Sequence, residues 1–216
     1  MQTLPIISAN IFKINHIRAF HGEKLILKNI SFSLSSGESL IITGQNGAGK
    51  STLLRILAGL KSVDAGIITW NDQDISKQFI EHTQNIAWLS HQDSLKPALT
   101  VKENLQLTSQ IYNTNIQHAL TIVNLNHMAD IAVRMLSAGQ KRRTALARIL
   151  LKPAQLWLLD EPTVGLDQET IEQLGFIFKD FTKQGGMIIT TTHIPLPLEN
   201  SKTLHLTPSS SMVSSL

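Results

Sequence analysis

Cysteine is absent from the 216 residues, which excludes a disulfide framework and any thiolate-ligated metal site. The chain therefore fits a reducing cytosolic setting. Long apolar runs are missing too. No stretch approaches the roughly 18 consecutive apolar residues of a transmembrane helix, and the mean hydropathy is only +0.04. Met1-Gln-Thr-Leu-Pro-Ile-Ile-Ser8 has neither a basic start nor a long apolar stretch, so no secretory leader is expected. Charge of one sign is scarce: 19 Lys and Arg against 16 Asp and Glu leave a net charge of +3. The basic residues are scattered apart from Lys141-Arg142-Arg143, a triplet that reads as the solvated face of a helix. No nucleic-acid partner is expected on that basis, although a weakly basic surface suits docking near anionic lipid. What remains is ordinary globular material, 42% hydrophobic, enough for one domain around one buried core. There is no internal repeat.

The most specific positive feature is Gly44-Gln45-Asn46-Gly47-Ala48-Gly49-Lys50-Ser51, which matches the phosphate-loop pattern G-x-x-x-x-G-K-[ST] at every specified position. Ser39 to Thr43 ahead of it reads as a buried strand, and Ser51 to Leu60 behind it has helical apolar spacing. Strand, glycine loop and helix is the context the pattern requires. A triphosphate needs backbone N–H groups aimed at it with little side-chain bulk in the way. Gly44, Gly47 and Gly49 permit that wrap, and the helix that follows presents its positive end to the anion. Lys50 supplies a point charge for the β- and γ-phosphates, and the Ser51 hydroxyl, with Thr52 beside it, is placed for Mg²⁺. A plain glycine turn before a helix would explain the glycines but not the Lys50-Ser51-Thr52 that follows.

Two further segments carry chemistry. Leu156-Trp-Leu-Leu-Asp160-Glu161 is an apolar strand ending in two carboxylates. In phosphate-loop ATPases the Asp in this place holds the Mg²⁺ shell, and an adjacent Glu can act as general base on the attacking water. Helix-capping acids after a strand are the plain alternative, which Pro162 and the Thr163-to-Asp167 turn argue against. Leu136-Ser137-Ala138-Gly139-Gln140 reads structurally as a capping box, Ser137 at the N-cap and Gln140 three residues on, opening an amphipathic helix through Leu150. Capping and phosphate binding are compatible, because a helix N-terminus with a Ser and a Gly is also an anion site. With the phosphate loop upstream and the carboxylates downstream, the anion reading is preferred. His193 ends the segment Met187 to Thr192, which reads as a buried strand, and by itself reads equally as a strand-end histidine.

The order of elements predicts an α/β domain. Residues 10–43 read as strands and turns, an antiparallel β portion, and Asp64-Ala-Gly66 as a turn before the short strand Ile67 to Trp70. A mostly helical lobe, about residues 92–150, is inserted before the core resumes near Gln155. One domain over residues 1–208 is expected, with 209–216 a serine-rich frayed tail.

These segments in this order resemble the nucleotide-binding domain of ABC transporters over essentially the whole chain. The resemblance implies ATP with Mg²⁺ as bound species, ATP hydrolysis, and a head-to-tail homodimer in which each phosphate loop faces the partner copy's Ser137-Ala138-Gly139, with Gln140 closing that motif. It implies membrane subunits as partners, a catalytic Glu161, a His193 that contacts the γ-phosphate, Asp160 and Ser51 at the metal, and a lid glutamine. Gln92 is the expected lid residue, with His91 the alternative, because alignment on Trp88 and Leu99-Thr100 puts the usual position at His91. Phe20 is the candidate for stacking on adenine, and it reads equally as core. Leu-Ser-Ala-Gly-Gln at 136–140, Trp88-Leu-Ser-His-Gln92, Gln184 to Leu196 and the minimal length are similar to the haem-exporter ATP-binding group of cytochrome c maturation. That likeness implies a peripheral ATPase at the cytoplasmic face of the bacterial inner membrane, driving haem export or release of a haem chaperone. The eight histidines include no Cys-x-x-Cys-His, so haem binding by this subunit is not expected. An exporter of lipid or drug is the alternative within the class. A soluble ABC protein acting on ribosomes or DNA is less in keeping with one compact cassette.

Overall fold

The computed structural model describes residues 10–199 and 201–208, and the segment 209–216, expected as a frayed tail, lies outside the described residues. β1 (Ile11–His21) and β2 (Lys24–Ser35) form an antiparallel hairpin across Gly22-Glu23. Gly22 has φ 60, a conformation that a tight hairpin turn asks of glycine. β3 (Ser39–Gly44) leaves this hairpin and runs into the glycine loop and α1 (Lys50–Leu57). β4 (Ala65–Trp70) returns to pair with β1, and the short β5 (Gln73–Asp74) completes a sheet of order β2-β1-β4-β5. This is the antiparallel portion expected from the alternating sequence, except that β4 already begins at Ala65, inside the segment read as a turn.

α2 (Phe79–Gln84) and β6 (Ile86–Leu89) lead into the helical lobe. The lobe contains α3 (Val101–Tyr112), α4 (Ile116–Ile122), two short 3-10 turns and α5 (Ala138–Leu150). Thr100 opens α3 with a full capping box to Glu103, which satisfies orphan amides at that end. β7 (Leu156–Asp160), α6 (Gln168–Lys183), β8 (Met187–Thr191) and β9 (Ser201–Leu206) finish the chain. The second sheet is parallel, in the order β6-β7-β8-β3-β9.

β7 and β8 are buried at every residue, as parallel strands covered on both faces must be, and this is why their sequences are mostly apolar rather than alternating. Their alternate side chains serve two cores. Leu156, Leu158 and Ile189 pack with α1 and the antiparallel sheet, while Trp157, Leu159 and Ile188 pack with the helices of the lobe and α6. The parallel sheet is thus the middle layer. α1 ends at Leu57, short of the Leu60 that its apolar spacing suggested, because Gly59 turns to φ 74 just past the helix end. Among the described residues no helix is long and apolar enough to cross a membrane.

Candidate functional site

Register decides which residues meet at the carboxyl edge of the parallel sheet. Ile42 of β3 is level with Thr191 of β8, and Thr191 is level with Asp160 of β7. The phosphate loop therefore leaves β3 beside the strand ends that carry Thr191 and Asp160. With adjacent strands about 4.8 Å apart, β3 and β7 are separated by about 10 Å across β8. Open α/β sheets bind ligands in this place, outside the carboxyl ends of the strands.

Gly49 stands at φ 97 as the N-cap of α1, and a Cβ there would meet Ile26 Cγ2 and Leu27 Cδ2 at 2.8 Å. Glycine is required both by that dihedral and by the press of the loop against β2. Gln45, Asn46 and Gly47 are exposed, Ala48 is buried under them, and Ser51 is exposed on the first turn of α1, with Thr52 half-buried. The Lys50 ammonium donates to the carbonyl oxygens of Gly44 at 2.8 Å and Gln45 at 3.3 Å. Those bonds tie the cation to the opening turn of the loop, close to the backbone amides.

The carboxylates are organised by Thr191, a residue that motif reading passed over. Its hydroxyl donates to Asp160 Oδ1 at 2.7 Å and accepts from the Glu161 amide at 2.9 Å. Asp160 and Glu161 are buried, at 3% and 9% exposure. Glu161 has φ 51, a left-handed backbone that costs a non-glycine residue about 1–3 kcal/mol and persists only where the surroundings enforce it. Glu161 Oε1 is a buried acceptor with no hydrogen bond, although His193 Nε2 lies 3.2 Å away. That approach is an ion-pair distance without hydrogen-bond alignment, so this oxygen is left free to accept a hydrogen bond. His193 does not close a strand as expected. β8 stops at Thr191, and His193 follows in a turn, 56% exposed at its side chain, which leaves the ring facing the site with an open side.

For Mg²⁺, the test is donor chemistry. The described residues hold no group of three or more His, Asp or Glu able to bind a metal, so a resident all-protein cage is not what this site offers. Mg²⁺ is ordinarily held by one or two carboxylates together with substrate phosphates, and the hard oxygens of Asp160, at the end of β7, and Ser51, on the first turn of α1, fit that mode.

The start of α5 is the expected capping box in full. Ser137 Oγ accepts from the Gln140 amide at 3.2 Å, and Gln140 Oε1 accepts from the Ser137 amide at 2.9 Å. Ser137 is nevertheless exposed, so a cap is not all that it can serve as. Gly139 is pressed onto the turn that follows Glu161: a Cβ there would stand 2.6 Å from the Gly165 carbonyl oxygen. Among the described residues, no hydrogen bond joins Ser137 to the phosphate loop, and the bonds of its hydroxyl and amide run to Gln140. Met135 and Val164, beside these segments, are 72% and 54% exposed.

Gln92 and His91 are both exposed on the loop after β6. The Gln92 carbonyl accepts from the Ser90 and Ser94 hydroxyls, which shapes the loop without favouring either side chain. Phe20 lies at the end of β1 opposite Leu25, 39% exposed. It is not core, and the strand opposite continues directly into the Ile26 and Leu27 that touch Gly49.

The basic triplet is corrected. Arg142 is 3% exposed, not on a solvated face. Its guanidinium donates to the carbonyl oxygens of Asp160 and Glu161, and forms a 2.7 Å ion pair with Asp93. A sequence pattern that places charges outside had no means of seeing five acceptors converge on one planar donor.

The family model for ABC transporters matches residues 27–164. The cytochrome c biogenesis ATP-binding export protein of Gluconobacter oxydans is 43% identical over 212 residues, 98% of this chain and 94% of that protein. Its namesake in Escherichia coli strain K12 is 42% identical over 181 residues, covering 83% and 87%. ABC transporter I family member 1 of Arabidopsis thaliana is 37% identical over 199 residues, covering 90% and 87%. A solved ATP-binding subunit of an ABC transporter superposes with a TM-score of 0.78 at 24% identity, covering 85% of this chain and 80% of that one, a likeness of fold.

Proposed function

This chain belongs to the ABC transporter ATP-binding family and is the ATPase subunit of such a transporter; from that premise we propose that it drives haem export, or release of a haem chaperone, in the biogenesis of c-type cytochromes. The observation that carries the finer reading is 43% identity, end to end, with a cytochrome c biogenesis export protein. On this reading the chain works at the cytoplasmic face of the bacterial inner membrane, held there by integral membrane subunits.

The loop amides, the α1 N-terminus and Lys50 take the β- and γ-phosphates of ATP, and exposed Phe20 meets the adenine. Mg²⁺ would be held by Asp160 and Ser51, with Gln92 at its edge, and when bound it neutralises charge developing on the phosphates. Glu161 Oε1, the buried acceptor without a hydrogen bond, takes the proton from the attacking water. His193, 3.2 Å from that oxygen, faces the γ-phosphate and limits where the water can stand. Thr191 holds both carboxylate-bearing residues in register. Ser137, Gly139 and Gln140 complete the site in trans. Exposed Ser137 and the apolar Met135 and Val164 beside it suit the approach of a second copy of this chain.

The experiment is complementation of an Escherichia coli strain lacking its own relative of this protein, read by haem staining of c-type cytochromes. Wild-type chain should restore staining and co-purify with membrane subunits in detergent. Glu161→Gln should bind ATP and associate but fail to restore it, with turnover lower by about 10²–10⁴. A chain that associates with the membrane subunits and hydrolyses ATP, yet restores no cytochrome, would refute the haem assignment while leaving the ATPase intact.

A further inference from the structure

A buried guanidinium is costly unless its donors are met, and those of Arg142 are met from two directions. Nη2 donates to the carbonyl oxygens of Asp160 at 2.5 Å and Glu161 at 2.7 Å, and Nε to that of Pro162 at 3.3 Å. Nη1 donates to the Ser90 carbonyl at 2.9 Å and to Asp93 Oδ1 at 2.7 Å. One side chain on α5 therefore bonds both the backbone of the carboxylate turn and the loop that carries Gln92. Arg148 fastens the same loop from two turns further along, through the carbonyls of Asp93 and Ser94, each at 2.9 Å. The residue whose carbonyl Arg142 holds is Glu161, the one with the left-handed backbone. Thr191 restrains its amide and Arg142 its carbonyl, so the strained peptide is gripped at both ends.

We propose that Arg142, paired with Asp93, is a positioning residue for ATP hydrolysis: it fixes the Glu161 backbone so that the carboxylate faces the reacting water, and it passes displacement of the 90–94 loop to that carboxylate. The proposal rests on Glu161 being the general base. A shift of the loop cannot leave the guanidinium where it is, because Ser90 and Asp93 share Nη1 while Asp160 and Glu161 share Nη2 on the same rigid plane. Movement at the loop is converted into movement at the base.

The test uses the purified full-length chain and its R142Q, R142K, D93A and E161Q variants, with binding read by a fluorescent ATP analogue and folding by circular dichroism. In R142Q, kcat should fall about 10²-fold, the scale expected for a reacting group misplaced by about 1 Å. KM for ATP and analogue affinity should stay within about threefold of wild type, the split that marks loss of a transition-state interaction. R142K should not rescue, since an ammonium cannot span both sets of acceptors. D93A should also lower kcat, and adding it to R142Q should cause little further loss, because the two act as a pair. Native kcat in R142Q, full rescue by lysine, or losses that add would each overturn the proposal. Should R142Q fail to fold, D93A at its partly exposed position decides: an unchanged kcat refutes the coupling. E161Q separates the two readings. If it hydrolyses ATP normally the base is elsewhere, whereas an inactive E161Q beside a fully active R142Q removes only the positioning role.

Discussion

Replacing Ser137 separates helix capping from participation in a composite ATP site. Ser137→Ala removes the acceptor of the Gln140 amide, a 3.2 Å bond, and leaves the reciprocal bond from the Ser137 amide to Gln140 Oε1 at 2.9 Å in place. Only half of the box is lost, so the cost should fall in the middle of the usual range for a cap, about 1 kcal/mol. For a domain of this size that lowers the melting temperature by about 2–4 °C. Ser137→Asn supplies another good N-cap acceptor and should recover most of that loss. Activity should not follow stability. The exposed hydroxyl, if it meets the partner copy's γ-phosphate, is replaced by a bulkier amide that points differently, and turnover should stay low in the Asn variant. Melting curves and phosphate release on the same preparations give both numbers. Wild-type turnover should also rise more steeply than protein concentration at dilutions where a dimer dissociates. A Ser137→Asn chain with native melting temperature and native turnover would show that Ser137 is only a cap.

Lys50→Ala should abolish turnover and leave the fold intact, since among the described residues the ammonium bonds to the Gly44 and Gln45 carbonyls of its own loop; native-rate phosphate release would remove the phosphate-site assignment. His82 should make stability sensitive to acid. Burial lowers its pKa from 6.5, opposed by the hydrogen bond to the Leu57 carbonyl. Because the folded value lies below the unfolded one, the unfolded chain takes up the proton first, and stability should fall as pH drops below 6.5. The slope can reach about 1.4 kcal/mol per pH unit until the folded value is passed. His82→Gln, which can still donate to the Leu57 carbonyl, should flatten that part of the stability profile in urea titrations, and an unchanged slope would assign it to another group.

What could be read from the sequence was whatever is recorded locally. The phosphate loop, the carboxylate pair and the Ser137 box each occupy a few consecutive residues, and the strands β7 and β8 announce themselves through mostly apolar segments because both of their faces are covered. Element boundaries slipped where a single backbone angle intervenes, as at Gly59 after α1. Thr191 and Arg142 were illegible for another reason. Thr191 matters through a register that sets it level with Asp160, 31 residues away, and Arg142 through acceptors between 18 and 52 residues distant. No spacing rule along the chain encodes such meetings. The one available hint was a run of three threonines directly before His193, polar residues on an otherwise apolar buried strand that need partners once folded.

Both residues point to the same physical requirement. Glu161 must be held in an unfavourable backbone conformation, and neither the short strand before it nor the turn after it does that alone. The grip comes from Thr191 on one side and from α5 on the other, where Arg142 bonds the Glu161 carbonyl and Gly139 packs against the Gly165 carbonyl farther along the turn. α5 thus does two things with one end. Its capped N-terminus offers Ser137 outward, and the turn immediately behind it braces the carboxylate that belongs to the same chain. A Cβ at position 139 would stand 2.6 Å from the Gly165 oxygen, so only glycine lets the start of α5 come this close to the turn that follows Glu161.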